Sequence, residues 1–126
     1  VINSPLAQPR NLIGGHLISA FIGVTAQLLF PQQPIIAAAL AVSFSIVAMQ
    51  MTKTLHPPGG ATALIAVIGS AKVKSLGYLY VLSPILTGVI ILLLVALFFN
   101  NITNHRSYPV NKHWYKVWKR RYRFGK

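Results

Sequence analysis

Long apolar runs separated by short polar breaks organise this chain, and the runs have the lengths of helices rather than strands. The first, Leu12 to Phe30, holds nineteen residues with His16 and Gln27 as its only strongly polar members. At ~1.5 Å per residue it extends roughly 28 Å, close to the hydrocarbon thickness of a bilayer. Asn11 is its expected N-cap, preceded by Pro9 and Arg10. Pro31 to Pro34 closes the run in a tight turn that permits only an antiparallel neighbour. That neighbour is Ile35 to Met51, whose repeated Ala and Ser let another helix approach closely. In the third run, Leu55 to Ser70, about fourteen residues can be helical, which suits either a thin span or a re-entrant half-helix. The fourth, Leu76 to Asn100, is the most apolar, and Pro84 predicts a kink in it. The pattern predicts an all-α polytopic transmembrane helix bundle of three or four hydrophobic segments. It divides the chain into a transmembrane domain over 1–100 and a tail over 101–126.

Composition sharpens this picture. The 126 residues include twelve Lys and Arg but no Asp, Glu or Cys, where a soluble chain of this length would carry about fifteen acids. Catalysis by paired carboxylates, Ser-His-Asp triads, carboxylate-bound Mg²⁺ or Ca²⁺, thiolate chemistry and disulfides are all excluded. Between Leu12 and Asn100 the only charged residues are Lys53, Lys72 and Lys74, a composition for lipid rather than a water-facing surface. If the third run spans, Arg10, Lys53 and the eight basic residues of the tail share one side, ten against two. If it is re-entrant, the split is eight against four. The spanning arrangement is favoured, and either way the tail is expected in the cytoplasm.

Val1 is not an initiator Met, and VINSPLAQPR reads as a loop following folded chain, so an upstream helix is expected. A signal peptide is not, because no basic leader with a cleavage site precedes the first run. In the tail, Trp114, Tyr115, Trp118 and Tyr122 share one arc of a helical wheel, beside Lys116, Lys119, Arg120 and Arg123. This predicts an interfacial helix with rings at headgroup level and cations on anionic lipid, in preference to nucleic-acid binding.

Two stretches place polar groups and glycines at the start of apolar helices: SPLAQPRNLIGGH, residues 4–16, and TKTLHPPGGAT, residues 52–62. Each runs in the same order: a cation, a proline break, a glycine pair, then a helix. Helix N-termini expose N–H groups and partial positive charge, and glycine lets a ligand approach the backbone, so the arrangement favours an anion. Arg10 and Lys53 are the cations, Gly14, Gly15, Gly59 and Gly60 the glycines, and Pro57 and Pro58 the structural break. Packing is an equal alternative for Gly14 and Gly15, and the preferred one for Gly23, Gly69 and Gly88. His16 and His56 are candidates to hydrogen-bond an oxyanion or carry a proton, with helix contacts and capping as the plainer alternatives. Thr54 and Thr62 are candidate hydroxyl donors, unless they bond back to the i−4 carbonyl. A metal site is not expected from two histidines, and no cofactor is implied.

SPLAQPRNLIGGHLISAFIGV and LHPPGGATAL together resemble the HPP family of integral membrane proteins, named for the motif present here as His56, Pro57 and Pro58. The resemblance runs from Ser4 to about residue 101 and continues weakly into RSYP, residues 106–109. It implies about four membrane helices, including one before the first motif, and a small-anion transporter, since some plastid and cyanobacterial members are implicated in nitrite transport. Some bacterial members add a cytoplasmic nucleotide-sensing region, for which this tail is too short. The expectation is a homo-oligomeric transporter or channel for a small monovalent oxyanion such as nitrite, in a bacterial plasma membrane rather than a chloroplast envelope. The alternative is a non-transporting membrane anchor whose basic tail holds lipid or a partner. An enzyme is not expected, since no nucleophile is visibly paired with a histidine.

Overall fold

The computed structural model describes residues 3–102 and 106–110, all helical or loop, with no strand among them. A single 3₁₀ turn, Pro5–Ala7, leads into α1 (Pro9–Leu29), followed by α2 (Pro34–Met51), α3 (Pro58–Ile68), the short α4 (Ala71–Ser75), a kinked turn Val81–Leu86 and α5 (Thr87–Asn101). Among the described residues, three stretches are long and apolar enough to cross a membrane: Pro9–Leu29, Pro34–Met51 and Val81–Asn101.

Proline sets the helix starts. Pro9, Pro34 and Pro58 each stand at a first helical position, where the missing N–H costs nothing and the fixed φ is already helical. α1 therefore opens three residues earlier than the apolar run suggests. Asn11 lies inside its first turn instead of capping it, and its side-chain amide donates to the Leu55 carbonyl at 2.8 Å. In the fourth segment Ser83 leaves helical geometry (φ −142°, ψ 120°) just before Pro84, so the expected kink is present. After α4 the chain turns at Gly77, whose φ of +53° favours glycine.

Small residues let three helices approach closely. α1 and α2 run antiparallel, with Ala26 of α1 in one cluster with Ala37 and Ala41, and Ser19 Oγ 3.6 Å from Met49 Sδ. α3 runs parallel to α1: Gly59 faces Gly15 and Ser19, Gly23 faces the Ala63 backbone, and Ala26 meets Ala63 and Val67. A Cβ on Gly23 would come within 2.6 Å of the Ala63 carbonyl oxygen, so Gly23 has the packing role the sequence suggests. Gly88 does not, because a Cβ there would meet nothing within 4 Å. α5 returns antiparallel to α1, bringing Leu92, Ala96 and Asn100 to the same cavity as Leu12 and Ala7.

The third segment is a non-helical stretch followed by a short apolar helix. The eleven residues of α3 reach about 16 Å, half a bilayer core. The non-helical stretch ahead of α3 runs beside the start of α1, with the Thr52 carbonyl at Arg10 and the Leu55 carbonyl at Asn11. Stretch and helix together follow α1 from Arg10 to Ala26. Lys72 and Lys74 then lie at the opposite end from Arg10 and Lys53, as the spanning arrangement requires.

Candidate functional site

α2 ends in a left-handed cap. Lys53 has φ 55°, its N–H bonds the Gln50 carbonyl at 3.1 Å, and the Thr54 N–H bonds the Met49 carbonyl at 2.8 Å. Glycine is the usual residue there, so a lysine holds a backbone position that costs it conformational energy. The cap turns the chain directly onto α1. Thr54 packs on Gly14, and His56 packs on Gly15, where a Cβ would come within 2.5 Å of His56 Cβ.

Below this junction the two histidines meet, with ring centroids 4.9 Å apart and planes tilted by 59°. His16 Nδ1 lies 2.7 Å from Thr62 Oγ1, and His56 Nδ1 lies 2.8 Å from the Leu6 carbonyl oxygen. Among the described residues no third His, Cys, Asp or Glu joins them as a metal group would require. Arg10 donates through Nη2 to the Thr52 carbonyl at 3.1 Å, while its Nε is shielded from solvent and has no hydrogen-bond partner. Thr54 Oγ1 pairs with Thr52 Oγ1 at 2.7 Å. Thr54 lies in the non-helical stretch ahead of α3 and Thr62 bonds His16, whereas Thr25, Ser43, Ser45 and Thr52 all bond back to their i−4 carbonyls.

A family model of the HPP transmembrane region matches residues 1–109. The chain belongs to the HPP family. Two transmembrane proteins of Dictyostelium discoideum are similar to it. One is 50% identical over 113 residues, covering 87% of this chain and 39% of the relative. The other is 49% identical over 110 residues, covering 85% and 35%. The chain thus spans less than two fifths of the length of these curated relatives. No solved structure matches it at a significant level.

In this HPP chain the residues singled out from sequence form one contact zone between the first half of α1 and residues 52–62. Of the two alternatives for Gly14 and Gly15, packing is the one their surroundings favour, and the N–H groups of the second pair are hydrogen-bonded. Gly14 and Gly15 sit in the second turn of α1, inside its hydrogen-bond ladder, and Gly59 and Gly60 donate to the His56 and Pro57 carbonyls at 2.8 and 3.0 Å. Their N–H groups are thus committed, and Gly14, Gly15 and Gly59 serve close packing. Gly60, 3.8 Å from Val42 by its would-be Cβ, is in ordinary contact. A hydroxyl is paired with a histidine after all, His16 with Thr62, across 46 residues of sequence.

Several participants escaped the sequence reading. Tyr80, 2% exposed, donates its hydroxyl to the Thr62 carbonyl at 3.0 Å and braces the turn that carries the Thr62 side chain. Residues 106–110 form a strap across the start of α1: Tyr108 Oη donates to the Ala7 carbonyl at 2.8 Å, and the Val110 N–H to Gln8 Oε1 at 3.0 Å. Asn101 clasps the Tyr108 backbone through both its amide groups. The faint family likeness of RSYP was the one signal for this strap. The tail residues Trp114, Tyr115, Trp118 and Tyr122, expected at the lipid interface, lie outside the described residues.

Proposed function

We propose that this HPP chain carries a small monovalent oxyanion, nitrite foremost, across the membrane as a transporter rather than as an enzyme. The observation behind this reading is the His16–His56 contact at the break in the third segment, in a chain with no Asp or Glu. Ionisable groups inside membrane segments are costly and are kept for function. Non-helical backbone at membrane depth is tolerated where it lines a route for solute, and broken helices hold substrate in other transporters. Arg10 and Lys53 would concentrate the anion at one end of the bundle. His56 and His16, with the Thr62 hydroxyl, would receive it, and the unpartnered Arg10 Nε–H is a further donor. Thr54 would line the approach, and the glycines would hold the two elements close enough for these side chains to converge. We assign the basic tail to the cytoplasmic face of a plasma membrane, against anionic lipid, and the assembly to a homo-oligomer.

The test is uptake into proteoliposomes holding the purified protein, comparing nitrite with nitrate, formate, chloride and sulfate. Saturable nitrite uptake is expected, falling to the level of empty vesicles in His56→Ala and Arg10→Gln while both variants still insert. Undiminished uptake in both variants would overturn the site, and no uptake of any anion by the wild type would overturn transport.

A further inference from the structure

We infer that His56 obliges the anion to bind together with a proton, so that the cargo is electrically neutral. This rests on the transport reading above and specifies how that site works. A carbonyl oxygen can only accept, so the 2.8 Å contact from His56 Nδ1 to the Leu6 oxygen fixes the proton of the neutral ring on Nδ1. Nε2 then carries a lone pair and makes no hydrogen bond among the described residues. An oxyanion approaching Nε2 of the neutral ring meets another acceptor. Only when Nε2 takes a proton from water does it become a donor.

The surroundings strengthen the coupling. His56 lines a cavity of about 270 Å³ with Ala7, Leu12, Leu92, Ala96, Asn100 and Tyr108, room for several molecules the size of water at about 30 Å³ each. Its walls are mainly apolar, so a bare anion or a bare imidazolium there would be poorly solvated, while the pair would compensate each other. Among the described residues, the groups that bear on His56 supply no alternative counter-ion. α1 brings His16, the strap brings Tyr108 and α5 brings the neutral Asn100, while the cations of the same end, Arg10 and Lys53, carry the wrong sign. Burial holds the Tyr108 phenol above the ordinary tyrosine value, so it stays a neutral donor. The chain contains no Asp or Glu. The anion is thus the partner that favours the proton, and by reciprocity the proton favours the anion. The strap keeps the device in order, because Tyr108 and Val110 tie down Ala7 and Gln8, the two residues that follow the Leu6 carbonyl.

The deciding measurement uses the full chain in vesicles loaded with a pH-sensitive dye, with membrane potential set by a potassium gradient and valinomycin. Nitrite is added outside, and empty vesicles are subtracted for passive permeation of nitrous acid. One proton should enter per nitrite, at a rate indifferent to the potential. Apparent affinity should rise as pH falls, by up to about tenfold per unit, the limit for one linked proton. His56→Gln, which keeps a permanent donor near the Nε2 position, should move nitrite without protons and in proportion to the potential. Saturable uptake in the wild type that follows the potential and carries no protons would overturn the coupling and leave transport standing. Proton-coupled uptake surviving in His56→Gln would overturn the role of His56. No saturable uptake of any anion would remove this inference along with the reading beneath it.

Discussion

At the scale of single residues, the glycines of this chain divide by what stands in front of them. A methyl group on Gly23 would press on the Ala63 backbone, which cannot rotate away, and one on Gly15 on His56 Cβ and the Thr54 carbonyl. Overpacking of this kind costs about 1–3 kcal/mol, more than the roughly 1 kcal/mol that alanine gains over glycine in a helix. Gly23→Ala and Gly15→Ala should therefore lower the melting temperature in detergent micelles. Gly88→Ala, with open space before it, should leave that temperature unchanged or raise it slightly. Lys53 poses the opposite case. Its left-handed backbone costs roughly 1–2 kcal/mol that glycine would not incur. Lys53→Gly should thus stabilise the cap of α2, and if the cation serves the anion route as proposed, nitrite uptake should fall in the same variant. A variant both more stable and fully active would separate Lys53 from the site.

At the scale of elements, the sequence reading found the helices and missed their meetings. Run length and proline placement disclosed α1, α2, the kink before α5 and the shortness of α3, because these are local properties of apolar periodicity and backbone geometry. The start of α1 was misplaced because Asn11, a good cap by type, outweighed Pro9, which sets the first position. The contacts that make the site were not legible. His16 and Thr62 stand 46 residues apart and Tyr108 and Ala7 stand 101 apart, with nothing in the intervening chain to register one against the other. Only close packing of small residues brings α3 alongside α1. The strap can be tested by itself. Tyr108→Phe removes one bond, worth about 0.5–1.5 kcal/mol, and Asn101→Ala removes both halves of the clasp on Tyr108. Hydrogen exchange should quicken at Ala7 and Gln8 in both variants, more in Asn101→Ala, while the middle of α1 stays protected. Unchanged exchange at those residues would mean that the strap does not hold the turn.

At the scale of the whole molecule, the order of helices makes a claim about sides that membrane labelling can decide. α1, the broken third segment and α5 set Arg10, Lys53 and the strap at one end of the bundle, and the turn at Pro31 with Lys72 and Lys74 at the other. Apolar side chains such as Ile35, Ile91, Phe98 and Phe99 stay exposed along the helices between these ends, as lipid contact requires. The chain has no cysteine, so a single introduced thiol reports its own location without a background. Lys53→Cys and Ser107→Cys are exposed positions at one end, and Lys72→Cys is exposed at the other. In cells treated with a membrane-impermeant maleimide, Lys72→Cys should label from outside, while the first two should react only after the membrane is opened. That outcome follows from the helix directions together with the cytoplasmic preference of basic segments. Labelling of Lys53→Cys and Lys72→Cys from the same side would mean that the third segment turns back within the membrane. The His16–His56 contact would then sit in a dead-ended pocket, and a route from one face to the other would have to be sought elsewhere in the bundle.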